Sequence, residues 1–215
     1  MDSPSTGSPI SPISPAPAGN PDLRPAARGV ARLLDSVRDE RLSDPTPCPE
    51  YAVRELLAHL TDLSAAFRDA ARKDLGPTTG TDPGAAVPVL RDDWRTVLPR
   101  RLGELAEAWR QPAAWQGDTQ AGGVPLPAAV AGRVALNELL IHGWDLARAT
   151  GQPYAPEEAS LTVSYGLLAP AAESAADDGE SGGLFGPPVP VPQSAPLLDR
   201  VIGLSGRRPD WRPGD

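Results

Sequence analysis

A chain of 215 residues with 40% apolar content is long enough for one domain with a real core plus tails. Its formal charge of -8 and pI near 4.8, with no basic run to neutralise phosphates, argue against nucleic acid as a partner. No stretch approaches about 18 uncharged apolar residues, which excludes a hydrophobic membrane helix, and Cys48 is the only cysteine, so no intramolecular disulfide can form. The expected location is the cytoplasm.

Residues 1–19, "MDSPSTGSPISPISPAPAG", have neither a positive n-region nor an apolar h-region and read as a Pro/Ser-rich disordered tail. From Pro21 to about Arg41, Leu23, Ala27, Val30, Leu33, Leu34 and Val37 recur at helical spacing and predict a first helix. Pro45, Pro47 and Pro49 break the pattern, and a second helix is expected over Val53 to Lys73. "DLGPTTGTDPG" reads as a loop. A third helix is expected from about Ala85 to Trp109, with Pro88 near its start and Pro99 as a break or kink. "QPAAWQGDTQAGGVP" is irregular or a short extended pair. Pro127 suits the first turn of a fourth helix that ends at Thr150, where Gly151 and Pro153 supply the stop. A fifth helix over 156–175, a Pro/Gly-rich linker and a short helix near 196–206 complete the chain. Strand signals are almost absent, so the expected fold is all-α, a four-helix bundle over residues 20–176 with extra C-terminal elements over 177–215.

On the fourth helix, at 100° per residue, Ala131, Val134, Glu138, His142, Asp145 and Ala149 fall along one line. On the second, His59 sits at the edge of the stripe Leu56, Leu60, Leu63 and Phe67. A buried carboxylate is costly unless it is paired or binds metal, and neutral imidazole is the commonest metal ligand. Glu138 and His142, at i and i+4, can converge on one ion with a third ligand from a facing helix. Such Glu-x-x-x-His pairs also arise by chance as surface contacts, and a core-edge histidine is often an ordinary core residue. What separates this chain from that case is that both of its histidines take core-facing positions.

Asp145 either orients a ligand imidazole or pairs with Arg148 at i+3. Cys48, ahead of the second helix, is read as a loop residue, Trp144 as packing, and Glu55 and Asp62 as solvated.

"TPCPEYAVRELLAHL" at 46–60 and "ALNELLIHGWDLARATG" at 135–151 resemble the two signature segments of the DinB-like superfamily. The likeness is to its stand-alone actinobacterial branch, related to the metal-binding domain of mycothiol-dependent maleylpyruvate isomerase. "FGPPVPVP" and "LLDRVIGLSGRRPDWRP" resemble the tail of that branch. The resemblance implies a divalent metal, zinc first and nickel or another ion as alternatives, held by His59, Glu138 and His142 inside a four-helix bundle. It also places an aspartate at Asp145. Likeness to the isomerase itself is expected over the bundle only, because that enzyme has a further C-terminal domain and this chain ends too soon to hold it. Isomerisation of maleylpyruvate is therefore not implied.

Three protein ligands leave an open position, as catalytic zinc sites do. The function implied is thiol-dependent transfer, with mycothiol or a similar small thiol as co-substrate and an electrophilic partner molecule, in a monomer or homodimer. The alternatives are a metal-dependent hydrolase and a non-enzymatic metal-binding or stress-response protein. The ligand set also matches the 2-His-1-carboxylate triad of iron oxygenases, which a helical bundle disfavours.

Overall fold

In a computed structural model, residues 19–82, 84–178 and 186–214 are described. The expected tail, through residue 18, and residues 179–185 of the expected linker lie outside them. The helices are α1 (Arg24–Leu34), α2 (Val53–Arg72), α3 (Pro77–Gly80), α4 (Trp94–Ala108), α5 (Ala128–Thr150), α6 (Glu158–Asp178) and α7 (Leu197–Leu204). A single hairpin, β1 (Asp118–Ala121) with β2 (Val124–Pro127), is the only sheet among the described residues, so the fold is all-α as expected. None of these helices is long and apolar enough to cross a membrane.

The bundle consists of α1, α2, α4 and α5, with α1 and α2 each packed against both α4 and α5. Its core is filled by fully buried leucines such as Leu56, Leu60, Leu98, Leu102, Leu136 and Leu139. Each contributes roughly 1.5–3 kcal/mol by leaving water. α5 is central, because α6 covers its outer side and α7 packs on α6. A second apolar cluster there joins Ile141 and Trp144 of α5 to Leu161, Leu168, Val201 and Ile202. Buried on two sides, α5 is apolar almost all round, as a helix so placed must be.

Three helix boundaries differ from expectation. α1 stops at Leu34 rather than near Arg41, yet Val37 is still buried. After Leu34 the chain tightens through i to i+3 bonds, Ser36 N–H to Leu33 O at 3.3 Å and Val37 N–H to Leu34 O at 3.2 Å, which turn Val37 inward without continuing the helix. α4 starts at Trp94 instead of Ala85: Pro88 disfavours helix at the residue before it, and Val87 and Val89 stand exposed in the connecting segment. α4 runs through Pro99. Pro127 is the last residue of β2 and the cap before α5, not part of its first turn.

The segment left open between irregular and extended is the hairpin. Gly122 and Gly123, at φ +58° and +78°, supply its tight turn, a conformation that L side chains adopt at a cost. Thr119 anchors it to α2 through a 2.7 Å hydrogen bond to the Ala70 carbonyl. At the other end of α5, Gly151 takes φ +70° and ends the helix as the sequence predicts.

Candidate metal centre

Glu138 and His142 lie one turn apart on α5, and α2 faces them with His59. His142 Nε2 is 3.2 Å from Glu138 Oε2, and His59 Nε2 is 3.7 Å from the same oxygen. One ligand atom from each of the three residues lies within 4.8 Å of the other two. Ligands about 2.1 Å from a tetrahedral zinc would stand roughly 3.4 Å apart, so the observed spacing fits a divalent ion after a small contraction. The two imidazoles meet edge to face with ring centroids 4.8 Å apart, and Tyr51 packs on the other side of His59 at 5.1 Å. Among the described residues no fourth His, Cys, Asp or Glu joins the group. The side chains of His59 and Glu138 are 13% and 14% exposed, so the site touches solvent at one edge.

Burial would push the Glu138 carboxyl up, but the facing imidazoles of His142 and His59 outweigh it and hold the group well below the usual carboxylate range. Burial likewise works against a charged His142, yet Asp145 and Glu138 raise it to about 9. Without metal, then, the site stores a proton on His142 beside an ionised Glu138, and a metal must displace that proton.

Behind the triad, Asp145 Oδ2 lies 3.0 Å from His142 Nδ1 and accepts from Arg207 Nη2 at 3.2 Å. A guanidinium can only donate, so this oxygen is an acceptor and Nδ1 is the donor of the pair. Nε2 is thereby aimed at Glu138 and the candidate ion.

The model of the mycothiol maleylpyruvate isomerase N-terminal domain family matches residues 23–147, more than half of the chain. The chain belongs to that family. Two proteins from strains of Mycobacterium tuberculosis, both described as uncharacterized, are 26% identical to it over 186 residues, 85% of this chain and 93% of theirs. A crystal structure of the mycothiol-dependent maleylpyruvate isomerase shares the fold with a TM-score of 0.61 at 19% identity, covering 87% of this chain and 88% of that one. A variant of that enzyme with one histidine replaced by alanine gives a TM-score of 0.63 at 18% identity with the same coverage. The expectation that likeness to the isomerase stops at the bundle is therefore corrected, since the shared fold takes in most of both chains.

Within this family member the other singled-out residues fall as follows. Asp145 does not use Arg148, whose Nη2 donates to the Pro209 carbonyl at 2.5 Å and whose guanidinium lies 5.4 Å from the Trp144 ring. Trp144 packs in the outer cluster, away from the triad. Asp62 is exposed near Arg101, and Glu55 is half-buried. Cys48 stays outside the triad, as expected. Burial, and then the charge of Asp145, push its thiol up to about 11 against the pull of Arg207, which makes it a poor nucleophile.

Two residues escaped the sequence reading. Tyr51, just ahead of α2, was detectable as the aromatic of "CPEY" next to the His59 helix. Arg207 lies in the tail segment quoted above, but nothing in its spacing linked it to Asp145, 62 residues away. A cleft of about 270 Å³, lined by Arg28, Arg32, Leu140 and Tyr154 among others, opens between α1 and residues 152–157 and includes none of the triad.

Proposed function

We propose that this protein is a divalent-metal-binding, thiol-dependent transferase that uses mycothiol or a similar small thiol in the cytoplasm. The observation that carries the proposal is the convergence of two imidazole nitrogens and one carboxylate oxygen, from His59, His142 and Glu138, within 4.8 Å of one another. Zn²⁺ suits this donor set best, and Ni²⁺ is the alternative. A bound ion would supply Lewis acidity and lower the pKa of a coordinated thiol.

The residues of the chain do the rest. Glu138 contributes one negative charge, so a divalent ion keeps about +1 and favours an anionic co-substrate over a neutral one. Asp145 and Arg207 cancel each other and leave that balance unchanged. Asp145 holds the Nδ1 proton of His142, which leaves Nε2 for the ion. Tyr51 backs His59 and limits its rotation. The solvent edge beside His59 and Glu138 is where a thiol and an electrophilic substrate would enter. The family supports the thiol, because its described member depends on mycothiol.

Cobalt substitution tests the reading, because a thiolate ligand adds intense charge-transfer absorption that water does not. Titrating a thiol panel that includes mycothiol into the cobalt form should produce such a band, and Glu138→Gln should alter it. No band with any thiol, alongside turnover of ester or amide substrates, would replace the transferase with a hydrolase. Neither signal would leave a non-enzymatic metal-binding protein.

A further inference from the structure

The segment after α7 reaches the polar row from outside the bundle, and its path is set by one glycine. Gly206 takes φ +80°, its N–H bonds the Gly203 carbonyl at 3.0 Å, and the Arg207 N–H bonds the Ile202 carbonyl at 3.2 Å. A Cβ on Gly206 would stand 3.0 Å from the Gly186 carbonyl, so both the backbone turn and the space require glycine. This reversal separates two adjacent arginines. Arg208 turns outward to Asp210, whereas Arg207 turns inward and is only 8% exposed.

Inside, Arg207 is held in a fixed pose. Nη1 donates to the Ser205 carbonyl at 2.8 Å and Nη2 to Asp145 Oδ2 at 3.2 Å. Asp145 is fully buried, its Oδ1 has no hydrogen-bond partner among the described residues, and its Oδ2 is shared between Arg207 and His142. The same segment is fastened a second time where Arg148 donates to the Pro209 carbonyl.

We propose that Arg207 is a positioning residue of the metal centre: by holding the Asp145 carboxylate it fixes the ring of His142, so that the segment after α7 completes the site. The inference rests on the reading of His59, Glu138 and His142 as metal ligands. Without Arg207, Asp145 keeps one partner for a buried charge and is free to rotate about its own side-chain bonds. Rotation releases the Nδ1 proton, and Nε2 then loses its fixed direction. Partners of this outer kind are worth about 10–100-fold in metal affinity. Lysine would keep the charge but could not reach two acceptors with a planar fork.

Arg207→Met, Arg207→Lys and Arg208→Met are compared by two measurements on the full chain. Zinc affinity is measured by competition with a chromophoric chelator, and NMR follows exchange of the His142 Nδ1 proton with water in metal-free protein. Arg207→Met should weaken zinc binding about 10–100-fold and speed the exchange. Arg207→Lys should fall between it and the parent, and Arg208→Met should match the parent in both. If Arg207→Met does not fold, Arg207→Lys carries the comparison. Folded Arg207 variants with unchanged affinity and unchanged exchange would overturn the proposal. So would weakened affinity with unchanged exchange, which describes a loosened fold rather than a lost orientation. If the parent binds no zinc, the metal reading fails by itself, and the exchange rate alone decides whether Arg207 holds the His142 ring.

Discussion

The two buried sides of α5 are built on opposite principles. Toward α6 and α7, Ile141 and Trp144 sit in an apolar cluster whose stability needs nothing but close packing. Toward α2, Glu138 and His142 with Asp145 behind them form a buried charged row held by His59 and Arg207. Buried ionic groups contribute little net stability against an apolar replacement, so folding alone gives no reason for the second side, in line with the proposed metal site. The first side holds the helix in place for it.

If that separation is correct, Trp144→Ala should cost about 3–5 kcal/mol of folding stability by chemical denaturation while leaving the metal stoichiometry of the folded fraction unchanged. His142→Ala should do the reverse in kind, removing the metal from a protein that still folds. Loss of metal in both variants would show that the two sides are one cooperative unit.

Gly143 lies between the two sides, and a Cβ there would stand 2.7 Å from the Tyr154 hydroxyl and 3.1 Å from Val30 Cγ2. Gly143→Ala should therefore destabilise by about 1–3 kcal/mol, and adding Tyr154→Phe should recover part of it. Failure of the second change to help would mean that the Tyr154 ring edge, also 3.1 Å away, or Val30 is the obstacle rather than the hydroxyl.

Only the charged side should respond to pH. His142 of the metal-free protein is raised from 6.5 to about 9, so its contribution is fully present below pH 6.5 and is lost as pH rises through 9. Glu138 is lowered from 4.5, so its contribution is present above that value and is lost only in strong acid. Thermal melts of the metal-free protein should thus fall between pH 6.5 and 9, while zinc affinity rises over the same range because less proton has to be displaced. A melting temperature flat across that range would contradict the stored proton. The smallest effect is expected from Cys48→Ala, which should keep its metal and lose about 1 kcal/mol or less.

The pair Glu138 and His142 was legible because helical spacing puts them on one face, and the chain's only two histidines take core-facing positions; the family resemblance is what joined His59 to them as a set of three. The bundle was legible for the same periodic reason. Periodicity misled at the end of α1, where Val37 keeps the helical spacing and is buried by a tighter turn instead. The tail segment holding Arg207 was legible as a family likeness, but the inward contact of Arg207 was not. Its inward direction depends on the left-handed turn at Gly206 and on how α7 docks, and neither is encoded by spacing.

The central claim is that three side chains from two helices hold one ion. Elemental analysis of protein made in medium supplemented with zinc and nickel, alongside His59→Ala and His142→Ala, tests it most directly. About one divalent ion per chain in the parent and none in folded forms of either variant is the expected result. No metal above background in the parent, or full metal content in both variants, would contradict it.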